Sequence, residues 1–165
     1  MNLSRINELD VEEAAQTFLR CCGSESWAQE MAHGLPYASD SRLAQQAEAA
    51  WNKLAHQDWL EAFAAHPKIG DVDSLRHKYS STKNWAEGEQ SGVGGASDAV
   101  LTDLAAFNQA YEEKFGYIFI VCATGKTAGE MLSLLQKRIL NPPEEELKIA
   151  IEEQKKITHL RLEKL

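Results

Sequence analysis

Ser97 to Ala123 reads SDAVLTDLAAFNQAYEEKFGYIFIVCA, and this stretch sets the fold class. From Ser97 or Asp98 onward, Leu101, Leu104, Asn108, Tyr111 and Phe115 recur at spacings of three and four. That spacing puts them on one face of a helix. Gly116 is placed to stop it, because glycine takes up the left-handed conformation that ends helices without a steric penalty. Asn108 is the polar member of the stripe and is expected as a satisfied core amide. Tyr117 to Ala123 then forms an apolar run rich in β-branched and aromatic residues, which propensity alone reads as a strand. No second run of comparable strength is there to pair with it. The run is therefore expected as a buried extended segment among helices. Its backbone groups need other partners, and a ligand could supply some of them.

Helix signals continue on both sides. Downstream, Thr127-Ala128-Gly129-Glu130 is a capping box, and its helix carries Met131, Leu135 and Ile139 to a break at Asn141-Pro142-Pro143. Pro143 and three glutamates open the last helix, which suits a helix N-terminus. Its stripe runs through Leu147, Ala150, Ile151, Gln154, Ile157 and Arg161. Upstream, Asp10 to Glu13 reads as another box, leading a face of Val11, Ala14, Ala15, Phe18 and Cys22 that Gly23 closes. A short helix around Trp27 and Met31 stops near Gly34-Leu35-Pro36. A further one starts near Asp40 and carries Leu43, Ala47, Trp51 and Leu54. Asp58 to Glu61 reads as a box opening a short helix that must end before Pro67, because a residue before proline avoids the helical region. Residues 66–97 have weak periodicity and read as a long connection, of a kind that is often functional in a compact helical domain. The expectation is an all-α, single-domain helical bundle over residues 1–165, with one long functional loop and one short buried extended segment.

Composition narrows the function. A chain of 165 residues is long enough for a real core. Its net charge of −8 disfavours nucleic acid. A small anion stays possible, since one local Arg or Lys outweighs a global charge. Cys21, Cys22 and Cys122 are odd in number and suit neither a disulfide framework nor a zinc site, and no histidine pair has metal-ligand spacing. They read as reduced thiols. There is no signal-peptide pattern, no apolar run of membrane-spanning length and no clear peroxisomal tripeptide, so a cytoplasmic protein is expected. Gly125-Lys126-Thr127 imitates the end of a phosphate-binding loop, but the glycine that motif needs at position 120 is Ile.

His66 is the best acid–base candidate, since its unperturbed pKa lies near working pH. Glu87, Glu89 and Gln90 share its long connection, and Arg161 borders the last stripe, where it could bind a carboxylate. Each has a bland reading too: a structural histidine, solvated carboxylates, a surface ion pair. Taken alone, these residues describe an acidic helical domain with a loop bearing His, Glu and Gln. They do not name a substrate.

The same residues carry a family pattern. His66-Pro67-Lys68-Ile69-Gly70 matches a His-Pro-x-Ile/Leu-Gly/Ala signature, and Ala86-Glu87-Gly88-Glu89-Gln90-Ser91-Gly92 matches Ser-x-x-Glu-Gln-Ser/Ala-Gly. Asn108, Tyr111 and Lys114-Phe115-Gly116 with the apolar run after them match a third signature, and Lys156-Ile157 with Leu160-Arg161-Leu162 a fourth. In this order the chain resembles the 2-oxo-4-hydroxy-4-carboxy-5-ureidoimidazoline (OHCU) decarboxylases. Ala86 stands where many members have Ser, and Thr124 where many have Arg, which puts more weight on Arg161 or Lys68 as the charge partner of a substrate.

The resemblance implies an all-α fold and a homodimer that uses no metal and no organic cofactor. It implies release of CO₂ from OHCU to give (S)-allantoin, after urate oxidation and hydroxyisourate hydrolysis. Functional coupling to a hydroxyisourate hydrolase and a urate-oxidising enzyme would follow, with neither nucleic acid nor membrane as partner. His66 and Glu89 would be catalytic. Pro67, Ala86, Glu87, Gly88, Gln90, Arg161 and the backbone of Phe119, Ile120, Val121, Cys122 and Ala123 would bind substrate. Two other readings stay open: a helical module that holds a partner helix in a groove, and a hydrolase acting on ureides.

Overall fold

The computed structural model describes residues 2–67, 72–81 and 97–165. Among these the fold is all-α, with nine helices and no strand. In chain order they are α1 (Leu3–Asn7), α2 (Val11–Cys22), α3 (Glu25–His33), α4 (Asp40–Asn52), α5 (His56–Ala64), α6 (Val72–Ser81), α7 (Asp98–Phe115), α8 (Ala128–Arg138) and α9 (Pro143–Leu162). They group into two compact units. One holds residues 1–66, 120–122 and 148–165, and the other residues 67–119 and 123–147.

In the first unit, caps set the helix starts. Asp10 accepts from the Glu13 N–H at 2.9 Å, Ser24 caps α3 and Ser39 caps α4, each satisfying an amide with no intrahelical partner. Asp58 is not the cap expected of it. α5 begins two residues earlier, and Asp58 sits in its first turn, accepting the Ala55 N–H at 2.9 Å. The core is aromatic. Phe18 meets Trp27 and Tyr37 edge-on, with centroids 6.2 and 6.5 Å away, and Trp27 donates Nε1–H to the Ala47 carbonyl at 3.0 Å. Val11, expected on the core face of α2, is 48% exposed. Gly23 ends α2 at φ 86°, and any Cβ there would run into the Ala65 side chain at the end of α5. Only glycine fits both the dihedral and the close approach.

In the second unit, Leu101, Leu104 and Tyr111 of α7 are buried, and Asn108 bonds the Leu104 carbonyl at 2.9 Å. Gly116 closes α7 at φ 79°. Thr127 and Glu130 form the complete reciprocal box that opens α8. Lys114 Nζ donates to the carbonyls of Ile139 and Asn141 at 2.5 and 3.0 Å, beyond the end of α8. The supposedly structureless connection contains α6. Its Leu75 is fully buried, and Arg76 pairs with Asp73 and Asp98 at 3.0 and 3.1 Å. A ten-residue helix with Val72, Leu75 and Tyr79 set among polar and charged residues is too sparse a pattern to register as periodicity.

The last helix also differs in detail. Its buried line is Glu146, Ala150, Gln154, Thr158 and Leu162, one residue every four. Ile157 and Arg161, expected in the stripe, are half-buried beside it. Glu146 and Gln154 are completely buried and Thr158 nearly so. Polar groups so placed require fixed partners, and those partners define the site.

Candidate active site

His66 follows α5 directly. Its N–H bonds the Phe63 carbonyl at 3.2 Å, a tightened last turn before Pro67, and Pro67 is exposed. The imidazole is half-buried. Its Nε2 lies 2.5 Å from Oε1 of Gln154 on α9. The Gln154 amide nitrogen faces the Cys22 carbonyl at 3.5 Å and Thr158 Oγ1 at 3.2 Å. Two turns beyond Gln154 along α9, Arg161 donates Nη1–H to the Cys21 carbonyl at 3.2 Å. The end of α2 thus supplies two carbonyls that hold two α9 side chains in place.

Burial holds the His66 pKa below its ordinary 6.5, and the Arg161 charge lowers it further, against the opposing hydrogen bond to Gln154. His66 is therefore neutral at pH 7 and can accept a proton. Burial pushes the Cys21 and Cys22 thiols up to about 11 and about 12, which keeps them protonated and poor nucleophiles.

Residues 120–122 belong to this unit as well. Ile120 is buried, while Val121 and Cys122 are half-buried. The Cys122 N–H, expected to need a partner, finds Glu153 Oε2 on α9 at 2.7 Å. Glu153 Oε1 also pairs with Lys156 at 2.5 Å. The remaining members of the extended segment fall in the second unit. Phe119 stands 5.2 Å from the Tyr111 ring, and the Arg138 guanidinium lies over its face at 4.6 Å. The Ala123 carbonyl accepts from the Lys126 N–H at 3.0 Å.

The first unit thus brings His66 and Arg161 together around Gln154, with Ile120, Val121 and Cys122 held by the same helix through Glu153. Ala86, Glu87, Gly88, Glu89 and Gln90 lie outside the described residues, as does Lys68. Among the described residues, no three His, Cys, Asp or Glu side chains are grouped to hold a metal ion. No described helix is long and apolar enough to cross a membrane. Gln154, Glu153 and Thr158 are the site members that sequence reading did not select. Their signal was present only as a lone amide within an apolar stripe.

Comparison with known proteins shows the family. The model of the OHCU decarboxylase family matches residues 7–163. The chain belongs to that family. One relative, the uric acid degradation bifunctional protein TTL of Arabidopsis thaliana, is 39% identical over 88% of this chain and 45% of its own length. The OHCU decarboxylase of Amia calva is 30% identical over 99% of this chain and 93% of its own. A crystal structure of an OHCU decarboxylase in the presence of (S)-allantoin superposes with a TM-score of 0.73 at 38% identity, covering 89% of this chain and 94% of that one. The chain spans less than half the length of the bifunctional relatives it matches, and nearly all of the single-function one.

Proposed function

We propose that this protein decarboxylates OHCU to (S)-allantoin and CO₂. The observation that carries the reading is a neutral, half-buried His66, held by a buried amide beside Arg161 in a member of the OHCU decarboxylase family. The carbon that loses CO₂ bears a hydroxyl and adjoins an imine carbon. When its bond to the carboxylate breaks, the electron pair flows into the C=N group, whose nitrogen takes a proton. The hydroxyl then gives up its proton and becomes the carbonyl of allantoin. The former imine carbon takes a proton on one face. The substrate is its own electron sink, so the protein has to orient, stabilise charge and move protons.

In this reading, His66 accepts the hydroxyl proton, and the Arg161 charge holds the carboxylate. Glu89 and Gln90 hold the ureido group and ring nitrogens, Glu89 also assists proton movement, and Pro67, Ala86, Glu87 and Gly88 contribute to substrate binding. The backbone of Phe119 to Ala123 meets the ring amides through groups other than the Cys122 N–H, which Glu153 already occupies. Residues 1–165 act as one OHCU decarboxylase domain, as a cytoplasmic homodimer without a cofactor. Coupling to a hydroxyisourate hydrolase and a urate-oxidising enzyme is supported by relatives named for bifunctional uric acid degradation.

The test is circular dichroism of the product. Urate is converted by urate oxidase and hydroxyisourate hydrolase with and without this protein. Rapid appearance of one allantoin enantiomer supports the proposal. Racemic allantoin at the uncatalysed rate overturns it.

A further inference from the structure

We infer that Gln154 is a positioning residue, which fixes the His66 imidazole as the Nε2–H tautomer and leaves Nδ1 as the nitrogen that exchanges protons with substrate. The inference rests on the proton role of His66 proposed above and adds the atom through which it acts.

The argument starts from the Cys22 carbonyl. A carbonyl oxygen only accepts, so the Gln154 atom facing it at 3.5 Å is the NH₂ group, which also reaches Thr158 Oγ1 at 3.2 Å. The opposite amide orientation would set two carbonyl oxygens against each other in a fully buried place, where no water could relieve them. Oε1 therefore faces His66. An amide oxygen carries no hydrogen, so the hydrogen in the 2.5 Å contact belongs to His66 Nε2.

That leaves the Nδ1 lone pair, which has no hydrogen-bond partner among the described residues. A neutral imidazole has one donor and one acceptor nitrogen, and the bond made by one decides the chemistry of the other. Among the described residues, Arg161 is the charged group that acts on the ring, and the titratable thiols of Cys21 and Cys22 belong to the end of α2, whose carbonyls hold Arg161 and Gln154. Both thiols are held protonated, so among the described residues Arg161 is the charge that acts on the imidazole, and it opposes protonation. Gln154 does this without bearing a charge. A carboxylate in its place would hold the same tautomer but stabilise the imidazolium.

The experiment uses the full chain labelled with ¹⁵N at histidine. Ring-nitrogen shifts of His66, assigned by comparison with His66→Gln, report which nitrogen carries the hydrogen near neutral pH. A protonated Nε2 and bare Nδ1 are expected, and the reverse overturns the inference whatever the activity. In Gln154→Met, of similar volume but without the acceptor, the two tautomers should mix. Its kcat should fall on the order of ten-fold or more, a share of the roughly 10²–10⁴-fold that a positioned acid–base group supplies. KM should stay nearly constant, because Gln154 does not touch substrate. Unchanged tautomer and unchanged kcat overturn the inference. In Gln154→Glu, the acid limb of the kcat–pH profile should move to higher pH, and a limb that stays in place overturns it. If His66→Ala keeps wild-type turnover while the wild-type ring is fixed as Nε2–H, the proposed proton role fails and the hydrogen-bond assignment survives. The two failures are thereby told apart.

Discussion

Glu153 reaches from α9 to the backbone of Cys122 and accepts its N–H at 2.7 Å, so one carboxylate anchors the extended segment to the helix that also carries Gln154 and Arg161. The carboxylate is largely buried, and its exposed partner Lys156 has its pKa raised by the hydrogen bond and charge of Glu153. Removing the acceptor takes away a charge-assisted bond to a half-buried backbone amide. Glu153→Ala should lower stability by about 1.5–3 kcal/mol, the range for a hydrogen bond to a charged group. Glu153→Gln should lose less, because its amide oxygen still accepts. If the segment binds substrate as proposed, KM rises in the Ala variant more than kcat falls. Urea unfolding together with steady-state kinetics checks both, and an Ala variant with wild-type stability would show that the bond is not needed to hold the segment.

The pH dependence follows from the depressed His66 pKa, for which burial is the first cause and Arg161 the second charge-lowering one. In the unfolded chain His66 titrates near 6.5, and in the folded protein lower. Protons therefore bind the unfolded state first as pH falls. Stability is full above 6.5, declines through the window between the two values, and levels off beneath it. The acid limb of kcat/KM, which reports the free enzyme, should accordingly lie below 6.5. Arg161→Met removes a positive charge and should move that limb upward, in addition to weakening substrate binding. A limb at or above 6.5 in the wild type would contradict a neutral His66 as the base.

Much of this was legible in the residues themselves. Ser97, Gly116, Thr127 and Pro143 mark helix ends by local chemistry, and the structure puts helix boundaries at each. His66 and Arg161 could be singled out because their side chains have few bland uses beside an apolar stripe. Glu153, Gln154 and Thr158 could not. The role of Gln154 depends on the end of α2, more than a hundred residues away in sequence, that of Thr158 on Gln154, and that of Glu153 on the backbone of Cys122. Periodicity reports which face is buried and is silent on which carbonyl lies opposite. The same limit explains α6, whose one buried leucine gives no period, and the start of α5, where Asp58 works from inside the first turn instead of capping it.

The adjacent thiols offer a test of the packing at the end of α2. Cys21 and Cys22 are buried, with pKa values pushed up to about 11 and about 12. At pH 8, well below both values, the reactive thiolate is scarce and the sulfur is shielded. Iodoacetamide should label neither residue appreciably in the folded protein and both quickly in urea. Peptide mass spectrometry reads the two sites separately. Fast labelling of Cys22 without denaturant would mean that α2 opens at its C-terminus, which would loosen the carbonyls that hold Gln154 and Arg161.

In the second unit the decisive group is Glu146, a completely buried carboxylate. It accepts from Tyr111 Oη at 2.5 Å, Arg138 Nε at 2.8 Å and Asn141 Nδ2 at 2.9 Å, with Arg138 Nη2 at 2.6 Å. A buried ion pair adds little over a well-packed apolar pair, but breaking it strands a charge. Arg138→Met should therefore cost about 3–5 kcal/mol, and it also strips the cation from the Phe119 ring. Tyr111→Phe removes one neutral donor from a carboxylate that keeps its other partners, and should cost only about 1–2 kcal/mol. The double variant Arg138→Met/Glu146→Leu removes both charges and should regain much of the loss. Chemical denaturation of the three proteins decides the matter. A double variant as unstable as Arg138→Met would show that shape and hydrogen bonding at this site, and not the stranded charge, set the penalty.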